Sequence, residues 1–235
     1  MANWLLRIAD SHIRKIMDVT EYRNLYAKKQ DAAPGWDAID RSLAKIYGKT
    51  EPWHWGTLIK RSLGGPDPID GISAYENSSG DTSHFHFCSY GFSSLYYDED
   101  AVGKDFSGFG FELTFRLANK GEGRDELIWV CNLIQNLGRY VFESEKWFEE
   151  YHWIPTNGPV KLGSGTDIVG LAFVRDPENP AIDSPHGSVE FLQIVGLTTK
   201  ELEDVRSNRR TCEEVVTSLR QTNPLLITDL NRRDG

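Results

Sequence analysis

The clearest pattern in the chain is a strict alternation of apolar and polar residues over positions 109–117. Successive side chains of a β-strand point to opposite faces, so the phenylalanines and leucines of this segment share one face. Gly110, Glu112, Thr114 and Arg116 share the other face. Such sustained alternation predicts a strand that packs its apolar face against a hydrophobic core.

Shorter apolar segments between turn residues predict further strands. These strands cover residues 71–76, 84–90, 168–174, 188–195 and 225–228. Apolar residues at steps of three or four predict helices, and a capping-box pattern marks the start of one of them. The helices cover residues 4–27, 36–46 and 125–142, followed by a broken helical stretch over 198–220.

The order of these elements predicts the fold class. Strands cluster in the sequence without regular alternation with helices, which predicts an α+β fold with a mixed β-sheet flanked by helices. The chain has 235 residues and no internal repeat or obvious linker, which suits one large domain. We therefore expect a single domain over residues 33–235. Residues 1–32 are expected to form an N-terminal helical extension that packs on it.

The charge balance is acidic and argues against nucleic acid as a partner. The chain carries 26 Lys and Arg against 35 Asp and Glu, a formal charge of -9. Nucleic-acid binders need a dense basic surface to displace counterions, and the short cluster Arg206, Arg209 and Arg210 does not supply one. An acidic surface suits a basic protein partner, although the same charge also keeps proteins soluble.

The cysteines and the apolar segments indicate a cytoplasmic protein. Cys88, Cys131 and Cys212 are widely spaced, so they suggest neither a disulfide framework nor a zinc site. Residues 1–8 lack the long apolar core of a secretion signal. The longest segment without Asp, Glu, Lys or Arg, residues 82–97, contains histidines and serines and is unsuited to a bilayer. No membrane association is predicted.

One strand offers a candidate metal site. His84, His86 and Cys88 share one strand face, and Glu112 on a neighbouring strand could be a fourth ligand. Under this alternative the protein is a metal-dependent enzyme. The cupin-like spacing is missing, because Gly80 is too close to the histidine pair and no glutamate follows it. We favour side chains that are satisfied locally, and we predict no cofactor.

Other catalytic motifs are incomplete. Residues 91–95 begin like the nucleophile elbow of hydrolases, but Leu95 replaces the final glycine that the tight turn needs. The segment Gly163-Ser164-Gly165 lacks the lysine and the following hydroxyl of a phosphate-binding loop. The sequence therefore predicts a protein that is not an enzyme.

Residues 93–106 instead suggest a binding surface. This long polar segment places aromatic side chains beside acids, and we predict an exposed loop. Tyrosines supply rigid contact area at protein interfaces, and charged residues supply selectivity. The candidate partner-binding residues are Tyr96, Tyr97, Asp98, Asp100, Asp105 and Phe106.

Several longer motifs occur in a fixed order. They are Leu63-Gly64-Gly65-Pro66-Asp67-Pro68-Ile69-Asp70, His84-Phe85-His86, Ser89-Tyr90-Gly91 with Leu95-Tyr96, the segment 107–117, Phe191-Leu192-Gln193-Ile194-Val195-Gly196, and Leu226-Ile227-Thr228-Asp229. Together they resemble the N-terminal domain of the Suppressor of fused family over residues 33–232. The first thirty or so residues fall outside the resemblance.

The resemblance implies a mixed α/β domain that binds protein and has no known catalytic role. Eukaryotic members of the family hold a zinc-finger transcription factor in Hedgehog signalling, and the partner adds as a strand between this domain and a second, C-terminal domain. In strand addition, main-chain hydrogen bonds supply affinity, and pockets for side chains supply selectivity. Tyr96 matches a family tyrosine on the partner-binding side, and Asp105 matches a family acid there less closely.

The family also implies a narrower role. The sequence ends soon after Asp229, so we expect the second domain to be absent and do not carry over the transcription-factor role. Stand-alone domains resemble bacterial members, for which an immunity role that neutralises a toxin has been proposed. We therefore expect a protein that sequesters a partner, such as a basic toxin. A scaffold role is the remaining alternative, and the oligomeric state stays open.

Overall fold

The computed structural model describes residues 17–29, 31–78 and 82–234, and its strands form one sheet. The strands are β1 (Trp53–Gly56), β2 (Gly71–Asn77), β3 (His84–Tyr90), β4 (Phe106–Ala118), β5 (Trp153–Pro155), β6 (Ile168–Arg175), β7 (Ile182–Ser184) and β8 (Gly187–Thr198). The helices are α1 (Val19–Tyr26), α2 (Pro34–Tyr47), α3 (Ile128–Ser144), α4 (Thr199–Arg206) and α5 (Cys212–Thr222). The predicted α+β class is confirmed.

The sheet is mixed, with the order β1-β2-β3-β4-β8-β6-β5 and with β7 paired to β8. The pair β4–β8 is parallel, and the other named pairs are antiparallel. Phe106 at the start of β4 lies opposite Ser188 at the start of β8. Because parallel strands begin at the same edge, the loop that enters β4 and the turn that enters β8 meet at one end of the sheet.

The main core lies between one sheet face and α3. The predicted apolar face of β4 has five residues. Four of them, Phe111, Leu113, Phe115 and Leu117, are buried there, and Phe109 is half-buried against the same cluster. The rings of Phe148 and Phe173 stack in the same cluster with centroids 3.9 Å apart. Each fully buried side chain of this size contributes roughly 1.5–3 kcal/mol to stability.

The opposite sheet face is also covered, which the alternation does not reveal. Helix α2 packs Ile39 and Leu43 against it, and α4 and α5 cover its other half. Glu112, Thr114 and Arg116 are therefore fully buried rather than solvated. Burial of these groups requires hydrogen-bonding partners, because an unpaired buried polar group is costly.

Two predicted elements differ from the structure. The first predicted helix, residues 4–27, lies partly outside the described residues, and the described part forms α1 with Asp18 as its N-cap. The last predicted strand, residues 225–228, is wrong: it contributes a single bridge, between Thr228 and Leu117. Among the described residues, no helix is both long enough and apolar enough to cross a bilayer.

Candidate partner-binding site

The six predicted partner-binding residues lie in the loop from β3 to the start of β4, beside the turn that enters β8. The side chains of Tyr96, Asp98, Asp100 and Asp105 are exposed, and those of Tyr97 and Phe106 are half-buried. The prediction of an exposed loop is wrong in part. Leu95 and Ala101 are buried, and residues 99–101 form a turn of 3-10 helix.

Glu112 fixes the first part of this loop. Its buried carboxylate accepts the backbone N–H groups of Gly91 and Ser93 at 3.0 Å each. It also accepts the hydroxyls of Ser89 at 2.5 Å and of Ser93 at 2.6 Å. Burial raises the pKa of Glu112, and these hydrogen bonds oppose that rise. The polar face of β4 thus determines the path of the chain toward Tyr96.

The start of α2 holds the same loop from the other side. The Gly35 N–H donates to the Leu95 carbonyl at 3.0 Å. A side chain at Gly35 would overlap the carbonyl oxygen of Ser94, so glycine is needed for this close approach. Leu95 itself is buried in the cluster that contains α2. The loop is therefore a rigid support for its exposed residues.

Tyr96 contacts a lysine from a distant part of the chain. The Lys60 ammonium donates to the Tyr96 hydroxyl at 2.6 Å and lies 3.8 Å from the centre of its ring. The side chain keeps 37% of its surface exposed. Burial, followed by the contact with Asp70, raises the pKa of Tyr96, so the phenol stays neutral at pH 7. The contact fixes the ring orientation while leaving one side accessible.

The next residues of the loop are held in place by hydrogen bonds among themselves. The Asp98 carboxylate accepts the Asp100 N–H at 3.0 Å and caps the 3-10 turn. The Tyr97 hydroxyl donates to Glu99, and this hydrogen bond raises the pKa of Tyr97. Further along, the Asp105 carbonyl accepts the Ser188 N–H at 3.0 Å, which ties the end of the loop to β8.

Helix α1 packs on this loop. The sequence predicted that the N-terminal extension packs on the domain, but it did not indicate this location. Tyr22 of α1 is fully buried and stacks on Tyr97, and its hydroxyl lies 2.7 Å from Nε2 of His186. Arg23 forms an ion pair with Glu99. The sequence separation between Tyr22 and His186 explains why local patterns gave no signal for this contact. The domain boundary at residue 33 and the partner-binding role of the six loop residues stay predictions.

The candidate metal residues share a sheet face as expected, and most of their polar atoms contact protein. His84 contacts the Thr82 carbonyl at 3.0 Å through Nδ1, while its buried Nε2 has no hydrogen-bond partner among the described residues. His86 contacts the Tyr47 hydroxyl at 2.7 Å through Nδ1 and Asp176 at 3.0 Å through Nε2. Cys88 donates to the Ser89 carbonyl, and Glu112 is occupied by the loop. In the described part of the chain, no three His, Cys, Asp or Glu residues are grouped to hold a metal ion.

A buried ion-pair network lies beside these residues. The Arg116 guanidinium donates to both carboxylate oxygens of Asp176, at 2.9 and 3.0 Å, and to Glu178 at 3.1 Å. Burial by itself would raise the pKa of Asp176, but the hydrogen bonds and charge of its neighbours hold it well below its usual range. Burial, followed by the charge of Arg116, lowers the pKa of His86. The network pairs the buried charges of Arg116 and Asp176, although Nε of Arg116 has no hydrogen-bond partner among the described residues.

Comparison with known proteins gives a consistent result. The sequence profile of the Suppressor of fused protein (SUFU) family matches residues 65–233. The Suppressor of fused homologues of Homo sapiens and Mus musculus are each 36% identical over 209 residues, which cover 84% of this chain and 43% of each relative. The chain thus spans less than half the length of these relatives.

Solved structures resemble the chain as well. A chain from the Sufu–Fu complex crystal structure has a TM-score of 0.77 at 33% identity, covering 87% of this chain and 93% of its own length. The crystal structure of Drosophila Suppressor of Fused gives the same TM-score and identity, over 88% of this chain and 52% of its own. A SUFU homologue from Neisseria gonorrhoeae, at 11% identity, TM-score 0.53 and coverage of 85% and 96%, is similar in fold.

Proposed function

The chain belongs to the Suppressor of fused family, and we propose that it is a non-catalytic protein-binding domain that sequesters a partner through the loop between β3 and β4. The observation that carries the proposal is the firmly held yet exposed Tyr96, which matches a partner-binding residue of the family. One similar chain comes from a complex of Sufu with Fu, so binding of protein is a property of that relative.

The fixed backbone and the exposed acidic side chains of the loop favour binding of a partner. Glu112 and Gly35 hold the backbone in place, so little conformational entropy is lost when a partner docks. Asp98, Asp100 and Asp105 are exposed acids on the same loop as Tyr96. Acidic side chains at the rim of an interface speed the approach of a basic partner and select against acidic ones.

We further propose that the partner is a basic protein, and that toxin neutralisation in the cytoplasm is the biological form of this binding. The chain carries a formal charge of -9, which complements a basic toxin. This narrower proposal rests on the family resemblance and the charge, and identification of the partner tests it directly.

The experiment is an affinity capture from the native cell lysate, with mass spectrometry to identify the captured protein and titration calorimetry to measure its affinity. The double variant Tyr96→Ala/Asp105→Ala is compared with Tyr140→Ala/Asp125→Ala, in which an exposed tyrosine and an exposed acid are removed elsewhere. We expect the loop variant to lose about tenfold or more in affinity, about 1.4 kcal/mol, and the control to bind like wild type. Full affinity of the loop variant would refute the proposed surface.

A further inference from the structure

A small socket between the loop and the turn that enters β8 holds two side chains of α1. The socket is formed by Tyr97, Asp98, Glu99 and His186, and α1 fills it with Tyr22 and Arg23. We propose that this socket recognises an aromatic residue with a hydroxyl followed directly by a basic residue. In this view α1 acts as an intrachain ligand, and a partner segment with the same residue pair competes with it. The competition rests on the proposed function, because the socket shares its loop with Tyr96.

The aromatic part of the socket is made by two rings. The Tyr22 ring stacks on Tyr97 with centroids 5.1 Å apart and an angle of 12° between the planes. It meets His186 at 5.6 Å and 65°, an edge-to-face contact. Pairs of this kind contribute about 0.5–1.5 kcal/mol beyond the area that they bury. Tyr22 has no exposed surface, because the two socket rings and the ring of Tyr26 in α1 all pack around it.

Hydrogen bonds in the socket select a hydroxyl. The Nδ1 atom of His186 lies 2.8 Å from the Ser94 carbonyl, which can only accept, so Nδ1 carries the proton and Nε2 is an acceptor. The Tyr22 hydroxyl donates to this Nε2 at 2.7 Å, and its oxygen accepts the Asp98 N–H at 3.0 Å. A phenylalanine would leave both of these partners without a hydrogen bond.

The residue after the tyrosine is selected by charge. Arg23 donates from Nε to Oε1 of Glu99 at 2.9 Å and from its terminal nitrogen to Oε2 at 2.5 Å. A paired, two-point contact of this kind is specific for guanidinium and carboxylate. The hydrogen bond from Arg23 lowers the pKa of Glu99 to about 2, so the carboxylate is charged at any physiological pH.

The helix that fills the socket is suited to exchange. It has eight residues, and Tyr22 is its buried residue. Val19 and Leu25 leave 40% and 46% of their surfaces exposed. Helices shorter than about 12 residues are marginal in water, so α1 gains its order from this docking. A partner segment with the same two side chains can displace α1, because it makes the same contacts with the socket as Tyr22 and Arg23.

The test opens the socket and supplies the ligand as a separate peptide. The full chain with Tyr22→Ala/Arg23→Ala is labelled with 15N, and a peptide of residues 17–29 is added while amide shifts are followed. We expect saturable shifts at Asp98 and Glu99 with a Kd on the order of 1 mM or tighter. In wild-type protein the peptide must displace α1, so the same shifts should appear only at a markedly higher peptide concentration. If the double variant does not fold, Tyr22→Ala alone serves as the opened chain.

Matched peptides test the chemistry. A peptide with Tyr22→Phe should bind at least about fivefold more weakly, because a lost hydrogen bond costs about 1 kcal/mol. A peptide with Arg23→Glu should give no saturable shift. Absence of binding by the unchanged peptide, or equal binding of all three peptides, would overturn the inference.

This outcome is separable from that of the proposed function. If the peptide binds but no partner is captured, the socket inference is supported and the sequestration proposal is refuted. If a partner is captured through Tyr96 but the peptide does not bind the opened socket, only the socket inference is refuted.

Discussion

Arg116 offers a stability test that can be worked out from the structure. Its guanidinium is fully buried and pairs with Asp176, whose side chain is also fully buried. Arg116→Met removes the charge and keeps an apolar stem of similar length. Asp176→Asn removes the opposite charge and keeps the shape. Removing one partner of a buried ion pair costs about 3–5 kcal/mol, because the other charge is left uncompensated.

The two substitutions should not cost the same. Without Arg116, the Asp176 carboxylate still accepts from His86, from Thr114 and from two backbone amides. Without the Asp176 charge, Arg116 keeps Gln193 and the half-exposed Glu178. We therefore expect a loss of about 3 kcal/mol for Arg116→Met and about 5 kcal/mol for Asp176→Asn.

The assay is urea unfolding near neutral pH, followed by the fluorescence of the seven tryptophans. The double variant should be less destabilised than the sum of the single variants, by about 2 kcal/mol, because both substitutions remove the same interaction. A loss below about 1 kcal/mol for Arg116→Met, or strict additivity in the double variant, would refute the reasoning.

Two further predictions concern the buried titratable groups. Glu112→Ala leaves the amides of the loop unpaired and should lower the free energy of unfolding by about 4 kcal/mol. Glu112→Gln keeps one acceptor and should lower it by about 1–2 kcal/mol, and equal losses for the two variants in urea unfolding would contradict this. Burial lowers the pKa of His84, His86 and His186 below 6.5, so their neutral forms stabilise the fold fully above that pH. Below it, the unfolded chain binds protons that the native state excludes, and stability should fall by up to about 1.4 kcal/mol per pH unit for each histidine. Equal unfolding free energies at about pH 7.5 and 5.5 would count against this, and replacing His186 by Gln should reduce the slope.

The strand pattern and the motifs were readable in the sequence because they depend on neighbouring residues. Alternation over 109–117 is a direct consequence of strand geometry, and β4 contains this whole segment. The capping box of Thr198 and Glu201 is likewise local, and α4 begins there. The last predicted strand failed because short apolar segments can also fill a core as irregular chain, which periodicity does not distinguish.

The sequence by itself determined the fold class, the family and the loop that carries Tyr96. Only the tertiary structure decided that the polar face of β4 is enclosed by α2, and that Tyr22 fills a socket beside His186. Both depend on contacts between segments far apart in the chain. Strand and helix periods report which side chains share a face, but they do not report what covers that face.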